Sequence, residues 1–253
     1  MAFSVAIASA EVFFYSAPLK DTGLQSWEVG RVRYRAFSLR PLDAITDFLF
    51  RYPNVLALHA IRLLAAVLLL TNAAPGGQAI WDFLIVLLFW ALYLRCPYGW
   101  DGSDQMTVVV LLPLGLAHLI DGPTLSGNAT RIALAFIAAQ LCVAYLSAGV
   151  WKLVSPVWRN EPALTGILHT RSYGAPAVAR LLDGHATLSC ALGWGVMVVE
   201  TLFPLVFVVP RPAQFAFLAV GLGFHLGTAV LMGLNTFFWS FAAAYPALLY
   251  WLR

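Results

Sequence analysis

The sequence predicts an all-α fold, a polytopic membrane bundle of about seven or eight transmembrane helices. Hydrophobic residues make up 61% of the 253 residues, charged residues only 11%, and the mean hydropathy is +0.80. A soluble domain carries about 25% charged residues, so less than half of the usual charge is present. No segment of about 20–50 residues repeats along the chain. We therefore expect one membrane domain over residues 1–253.

The apolar stretches give the expected number of spans. Six of them are long enough to cross a bilayer as helices, and a shorter seventh follows. They cover residues 55–74, 79–95, 105–121, 132–153, 188–209, 213–234 and 237–252. Residues 2–18 are also apolar and lie near the lower limit of about 17 residues, so they could span the bilayer or lie in its interface. Residues 1–54 thus precede the core helices of residues 55–253.

Residues 19–54 form the longest polar stretch of the chain. The aromatic residues Trp27, Tyr34 and Phe37 are spread among its arginines, which suits a helix or loop on an anionic leaflet. Six lysines and arginines precede the first strong span, and the loop over residues 154–187 adds more. The positive-inside rule therefore predicts that both segments are cytoplasmic. We expect a multi-pass protein of a bacterial inner membrane.

Charge and cysteine content exclude several classes of function. The net charge is only +3 and no basic cluster is interleaved with aromatic residues, so we expect no nucleic-acid partner. Cys96, Cys142 and Cys190 are odd in number and lack a CxxC spacing, which predicts neither a disulfide framework nor a zinc site. The histidines are dispersed, without HExxH spacing, so we expect no metal. The lipid bilayer is the one certain environment.

Several ionisable residues lie inside the apolar spans. They are His59, Arg62, Asp82, His118, Lys152, Glu200 and His225. Such residues are functional candidates by default, although structural pairing is the common alternative. We predict that Arg62 and Asp82, on neighbouring helices, pair and neutralise each other. Glu200 is either neutral because it is desolvated, or paired with a cation such as Lys152. A lone histidine such as His225 is more often a hydrogen-bonded helix contact than a catalyst.

Lys152 at the end of an apolar helix is the most informative of these residues. Tyr145, Gly149 and Lys152 share one helical face at 100° per residue. An ammonium group at bilayer depth costs about 2.5–3.5 kcal/mol, so it usually faces a cavity or a partner. The alternative is that Lys152 reaches the interface beside Trp151 and Trp158.

A resemblance to a known family rests on short motifs around this lysine. The main motif is Gln140-x4-Tyr145-x2-Ala148-Gly149-Val150-x-Lys152-Leu153. It resembles the active-site helix of vitamin K-dependent γ-carboxylase and of the related bacterial horizontally transferred transmembrane (HTTM) proteins. Glu200-x3-Pro204, Phe224-His225 and Asn235-Thr-Phe237 are similar to the two helices that follow in that family. The turn Gly102-Ser-Asp104-Gln105 resembles an HTTM turn, with Asp104 where the carboxylase has a histidine.

The resemblance implies a lysine base that deprotonates a hydroquinone. In that family the lysine of the AGVxKL run has this role, and it falls on Lys152. No counterpart of the carboxylase's extramembrane domain precedes Arg253, so we expect quinol epoxidation with O2 but no glutamate carboxylation. No tightly bound cofactor is expected, with hydroquinone and O2 as substrates. The predicted catalytic residues are Lys152 and His225, and the predicted substrate-binding residues are Gln140, Tyr145, Trp151, Glu200, Asp104 and Asn235.

A flat quinol head needs aromatic walls and a few polar groups. The expected walls are Tyr145, Trp151, Phe224, Phe237, Phe238 and Trp239, with Gln140 and His225 bonded to the quinol oxygens and access sideways from the bilayer. A free lysine has a pKa of about 10.4, whereas a general base should titrate near 7. Burial favours a neutral amine and an ionised carboxylate disfavours it. Glu200 must therefore be distant or protonated if Lys152 is the base.

A second class of function stays open beside the enzyme. The chain could be a non-catalytic membrane partner, an assembly, maturation or immunity factor for a secreted peptide system, as some HTTM proteins resemble in context. An enzyme needs a neutral amine in a lipophilic pocket, whereas a scaffold tolerates Lys152→Arg. The two classes also imply different partners, a lipophilic small molecule or a peptide.

Overall fold

A computed structural model describes residues 1–37, 40–98 and 100–252, without the side chains of residues 35–37 and 40–42. The described chain is 79% helical and contains no strand, which confirms the all-α prediction. It forms two compact units, Met1–Leu134 and Ala135–Arg253, which are described in turn. The single domain over residues 1–253 stays a prediction.

The first unit consists of six helices and the start of a seventh. They are α1 (Ala2–Phe14), α2 (Trp27–Gly30), α3 (Arg40–Phe50), α4 (Val55–Thr71), α5 (Gln78–Arg95), α6 (Gly102–Asp121) and α7 (Asn128–Val154), with 3-10 turns at Ala17–Leu19 and Arg31–Phe37. Val5 of α1 packs on Ala65 and Ala66 of α4, and Phe89 and Leu111 join the same core. Small residues let membrane helices approach closely, which explains the packing of α1 on α4.

The second unit continues from α7. It contains α8 (Pro156–Asn160), α9 (Ala163–Leu168), α10 (Pro176–Asp183), α11 (Ala186–Leu202), a 3-10 segment (Phe203–Phe207), α12 (Arg211–Met232), α13 (Asn235–Ala242) and α14 (Tyr245–Trp251). The predicted loop over residues 154–187 therefore folds into three short helices. Leu168, Ala179 and Leu182 form its small core.

Five helices in the described residues are long and apolar enough to cross a membrane. They are Gln78–Arg95, Gly102–Asp121, Asn128–Val154, Ala186–Phe207 and Arg211–Met232. A sixth candidate is the pair Asp43–Phe50 and Val55–Thr71, which is bent by 74°. These helices agree with an integral, multi-pass membrane protein. They match six predicted spans to within a few residues, except that α7 starts earlier.

The helices near the two ends of the chain are shorter than the predicted spans. Helix α1 has 13 residues, which corresponds to about 20 Å at 1.5 Å per residue, less than a hydrocarbon core of about 30 Å. The predicted 237–252 helix is divided into α13 and α14. Pro246 explains the break, because its ring excludes a helical turn at the carbonyl four residues earlier, and α13 ends there, at Ala242.

Part of the polar segment before α4 packs against protein. Trp27 is buried, its ring lies edge-on to Phe50 at 4.9 Å, and its indole donates a hydrogen bond to Asp47 at 2.6 Å. Tyr34 stacks on Trp27 at 6.5 Å. The expectation that the aromatic residues of this segment lie on a leaflet therefore fails for Trp27. The side chains of Arg35, Phe37 and Arg40, which belong to the same expectation, lie outside the described residues.

The predicted Arg62–Asp82 pair is wrong. Asp82 contacts His118 Nδ1 at 2.7 Å, and Arg62 Nε donates to Ser9 Oγ at 2.8 Å. Gly115 of α6 explains the first contact, because a Cβ there would lie 3.1 Å from the Cβ of Asp82. The two helices approach at this glycine and bring His118, one turn later, to the carboxylate. The second contact depends on α1, because Ser9 lies on that helix. The prediction considered only pairs of residues on neighbouring spans and therefore missed it.

Candidate functional site

Lys152 and Glu200 form a partly buried ion pair in the second unit. Lys152 Nζ donates hydrogen bonds to both carboxylate oxygens of Glu200, at 2.6 and 2.9 Å. The lysine side chain is 21% exposed and the glutamate side chain 6% exposed. Nζ also lies 5.4 Å from the ring centroid of Trp158. Of the two alternatives for Glu200, pairing with Lys152 is therefore the one observed.

This contact restricts the base mechanism. A distant Glu200 was one of two conditions under which Lys152 could act as a base, and the structure excludes it. The other condition remains, in which the carboxyl group carries the proton and the lysine is a neutral amine. In either arrangement the pair has one proton between its two groups, so it can accept a second.

Gly149 brings the two charged residues together. It lies one turn before Lys152 on α7, and a Cβ at this position would overlap the hydroxyl and backbone nitrogen of Thr201. The backbones of α7 and α11 are therefore in direct contact here, as small residues permit in membrane helices. Because Thr201 follows Glu200, the close approach places Glu200 beside Lys152.

Tyr145, on the same face of α7, is fixed from three directions. Its ring stacks on Phe203 at 3.9 Å, and its hydroxyl lies 2.8 Å from the hydroxyl of Tyr245. A Cβ at Gly221 of α12 would overlap the Tyr245 hydroxyl and press on that of Tyr145. The predicted shared face of Tyr145, Gly149 and Lys152 thus faces protein throughout.

His225 is enclosed by aromatic rings. It is 3% exposed. The ring centroids of Phe241, Phe224, Phe237 and Tyr145 lie 4.1, 5.2, 5.6 and 5.6 Å from its own. Neither ring nitrogen has a hydrogen-bond partner among the described residues. The hydrogen-bonded helix contact expected for a lone histidine is therefore not seen in the described part of the chain.

A cavity of about 360 Å³ lies beside these residues. Its polar wall consists of Glu200 and Tyr145, and the rest is apolar, formed by α11 and α12. The apolar lining includes Leu192, Val196, Val199, Val220 and Phe224. Leu192 and Val220 are about half exposed on the outer surface of the helices. In a bilayer that surface meets lipid, so the cavity opens sideways.

Three predicted binding residues do not line this cavity. Gln140 is half-buried on α7, and twelve residues of helix place it about 18 Å along the axis from Lys152. Trp151 is 74% exposed. Asn235 is exposed at the start of α13.

The predicted aromatic walls are also only partly assembled. Tyr145 and Phe224 line the cavity, whereas Phe237 stacks on His225. Phe238 packs on Trp239 with ring centroids 4.8 Å apart.

Asp104 belongs to the first unit. It lies at the start of α6, where it forms a capping box with Asp101, and it lines a separate pocket of that unit. The structure therefore shows a local structural contact for Asp104 within the first unit.

Sequence reasoning missed four residues that shape the site: Phe203, Thr201, Gly221 and Tyr245. One signal was available for Gly221, which lies four residues before His225 and so on the same helical face. A tyrosine within an apolar stretch, next to Pro246, was a weaker signal for Tyr245. The stacking of Phe203 depends on the 3-10 segment after α11 and has no comparable sequence signal.

The chain matches no family model, no curated protein and no solved structure. The resemblance to the carboxylase helices therefore depends on the quoted motifs alone. No group of three or more histidine, cysteine or acidic side chains in the described residues could hold a metal ion.

Proposed function

We propose that this chain is an integral membrane enzyme that oxidises a lipophilic hydroquinone with dioxygen, with the Lys152–Glu200 pair as the proton acceptor. One observation carries the proposal: Glu200 of a partly buried lysine–glutamate pair lines an apolar cavity between α11 and α12. A proton acceptor beside an apolar site suits a ligand that is flat, neutral and acidic only at its hydroxyl groups.

The cavity suits the head of such a ligand. Its volume of about 360 Å³ is near the lower end of the usual range for small-molecule sites, about 300–1,000 Å³. The ring would lie between Val196 of α11 and Phe224 of α12, with one hydroxyl directed at Glu200. An isoprenoid tail would leave between Leu192 and Val220 into the lipid.

The first chemical step is the removal of one hydroxyl proton. Glu200 lines the cavity and Lys152 contacts it from behind, so the carboxyl group takes the quinol proton and passes its own proton to the neutral amine of Lys152. The pair then holds two protons and one positive charge, which balances the negative charge on the quinolate. Such proton transfer typically contributes about 10²–10⁴-fold to a rate.

The second step uses dioxygen as the oxidant. The quinolate ring carbon bonds to one oxygen atom of O2, and the O–O bond then breaks. One oxygen atom bridges two ring carbons as the epoxide, and the other leaves as water with the two hydroxyl hydrogens. The balance is quinol plus O2 to quinone epoxide plus water, with no other reductant.

In this proposal His225 acts on the quinol only indirectly, without lining the cavity. Both of its ring nitrogens are free of partners among the described residues. It does not line the cavity, although the rings of Tyr145 and Phe224, which do, lie 5.6 and 5.2 Å from its own.

Turnover tests the proposal. The purified protein in nanodiscs, given menaquinol under oxygen, should form the epoxide, detected by mass spectrometry. In Lys152→Arg the guanidinium cannot take a proton from the carboxyl group, and the carboxylate that it keeps ionised is a weaker base than an amine, so we expect turnover to fall by about 100-fold or more. Arg159→Lys, at an exposed position, is the matched control and should keep wild-type turnover. Failure of wild-type protein to bind or convert any quinol would reject the enzyme.

The ion pair also favours the non-catalytic alternative, because a lysine with both hydrogen bonds to one carboxylate is what a structural pair requires. A membrane partner of a secreted peptide system should keep its function in Lys152→Arg, since arginine also pairs with a carboxylate. Wild-type function in that variant, together with no quinol conversion, would select this reading.

The finer topology is part of the proposal. Seven crossings require the bent pair and the α13–α14 pair each to act as one span, and an eighth requires α1 to reach across the membrane as well. The same topology puts residues 19–54 and 154–187 in the cytoplasm of a bacterium, with the protein in the inner membrane. Single cysteines introduced into the two segments should react with a membrane-impermeant maleimide only after the cells are opened.

A further inference from the structure

A second pocket, of about 200 Å³, lies within the first unit where α4 begins, α5 ends and α6 begins. It differs from the cavity beside Glu200 because its lining is rich in charge. Arg62, Arg95, His59 and Asp104 face it, together with the aromatic residues Tyr93 and Trp100. The proposed quinol chemistry makes no use of this pocket.

Arg95 is a buried cation held by backbone oxygens. It is 1% exposed, and its Nε and Nη2 donate to the carbonyl oxygens of Phe50 and Leu19 at 2.8 and 2.9 Å. Both acceptors end short helical segments, α3 and the 3-10 turn Ala17–Leu19. These bonds fix the guanidinium but place no carboxylate against it.

Arg62 is similarly buried and similarly lacks a counter-charge in contact. It is 6% exposed, donates to Ser9 and lies 4.9 Å from the ring centroid of Phe89. Its Nη2 lies 3.5 Å from His59 Nδ1. No carboxylate of the described residues comes within 4 Å of Arg62 or of Arg95.

The charges of the pocket do not balance. Buried charges are normally paired, because a charge without a partner is costly in a low-dielectric interior. Asp104 is the one acid of the lining, and it accepts a hydrogen bond from the backbone nitrogen of Asp101 rather than from Arg62. The lining therefore holds two guanidinium groups and one carboxylate, because Asp21, the acid that acts electrostatically on Arg95, is exposed and lies outside the lining. This leaves room in the pocket for one more negative charge.

We propose that the pocket at Arg62 and Arg95 binds a phosphate group. Guanidinium groups match the geometry of phosphate oxygens, and basic pockets between membrane helices bind anionic headgroups. The position of the pocket near the ends of membrane helices favours a lipid as the source of the phosphate group. His59 and Arg62 lie about 6 and 10 Å from the start of α4, and Tyr93 and Trp100 are residues typical of the membrane interface. A free phosphate ion has the same chemistry and is the other source.

Lipid binding to the purified, delipidated protein tests this proposal by native mass spectrometry. We expect phosphatidylglycerol to bind, and Arg62→Gln and Arg95→Gln to weaken it at least ten-fold. Asp104→Asn removes the competing carboxylate and should tighten binding several-fold, so the sign of its effect tests the pocket even if an arginine variant does not fold. Arg131→Gln, an exposed arginine of the same unit, is the control and should bind as the wild type does.

The two sources of phosphate separate in a competition arm. Millimolar inorganic phosphate that displaces phosphatidylglycerol identifies a site for the free ion, whereas no displacement identifies a headgroup site that also uses the lipid chains. The proposal is overturned if Asp104→Asn and the folded arginine variants bind phosphatidylglycerol as the wild type does. It is equally overturned if Arg131→Gln weakens binding as much as Arg62→Gln, since general surface charge would then explain both.

Discussion

Lys152 in the second unit and Arg62 in the first are both cations within apolar helices, yet only Lys152 has a carboxylate in contact. Glu200 lies 2.6 Å from its ammonium group, whereas Arg62 contacts a hydroxyl, a histidine and an aromatic ring. The pocket beside Lys152 is apolar, and the pocket beside Arg62 carries charge. A site whose cation is already paired with a carboxylate suits a neutral ligand. A site whose cation has no carboxylate in contact suits an anion.

Loss of Glu200 should have the largest effect on stability. Glu200→Gln leaves the partly buried Lys152 without its counter-charge, and for a fully buried pair such a loss costs about 3–5 kcal/mol of unfolding free energy. We expect the lower end, about 3 kcal/mol, because Lys152 is 21% exposed and can reach some solvent. Chemical denaturation in detergent measures the change.

The control for this prediction is Glu161→Gln, at an exposed position after α8. It should change the free energy of unfolding by less than about 0.5 kcal/mol. Equal effects of the two substitutions would mean that the Lys152–Glu200 contact is not formed in the membrane protein.

A methyl group between α7 and α11 should have the next largest effect. Gly149→Ala forces a Cβ against Thr201, so we expect a loss of about 1–3 kcal/mol from overpacking. Gly223→Ala on α12 is the matched control, because a Cβ there meets nothing within 4 Å. It should be neutral or stabilise the helix by about 0.5–1 kcal/mol. A stable Gly149→Ala variant would contradict the close crossing that brings Glu200 to Lys152.

Arg62→Gln tests the other half of the comparison directly. Removal of the guanidinium group leaves no carboxylate without a partner in contact. We therefore expect the free energy of unfolding to fall by only about 1–2 kcal/mol, from loss of the hydrogen bond to Ser9. The measurement uses the same denaturation in lipid-free detergent, so that a bound lipid does not contribute. A loss larger than that of Glu200→Gln would show that Arg62 has a counter-charge after all.

The hydroxyl pair behind the cavity should matter least. Tyr145→Phe removes one hydroxyl and leaves that of Tyr245 without its partner, at a cost of about 1 kcal/mol. Tyr245→Phe should cost a similar amount, and the double variant little more than either. Additive losses in this double-mutant cycle would mean that the two hydroxyl groups do not interact.

Hydropathy was sufficient for the general architecture. Apolar runs predict the long helices to within a few residues, because the length of a span is set by the bilayer itself. Helical periodicity also predicts the common face of Tyr145, Gly149 and Lys152, and the pairing of Lys152 with Glu200 was one of two alternatives. The common face depends on residue spacing within one helix, and the pairing depends on the small number of charged residues in the apolar spans. Both can be recognised from the sequence without knowing how the helices pack.

Contacts between distant segments could not be predicted in the same way. Arg62 bonds to Ser9 because α1 packs on α4, and no rule of neighbouring spans indicates that packing. Asp82 pairs with His118 because Gly115 lets two helices approach. The partner of Tyr145 is one hundred residues away along the chain. In each case a small residue or a short helix determines the contact. The pattern of charges along the sequence does not indicate such a contact.

Photolabelling tests the central claim, that a quinol lies between α11 and α12 beside the Lys152–Glu200 pair. An azido-naphthoquinone in nanodiscs should label residues 192–199 and 220–224, and excess menaquinol should suppress the label. Val196→Trp fills the cavity and should abolish labelling, whereas Val143→Trp, exposed on α7 away from the cavity, should not. Label spread over all lipid-facing helices, undiminished by menaquinol and by Val196→Trp, would contradict the claim.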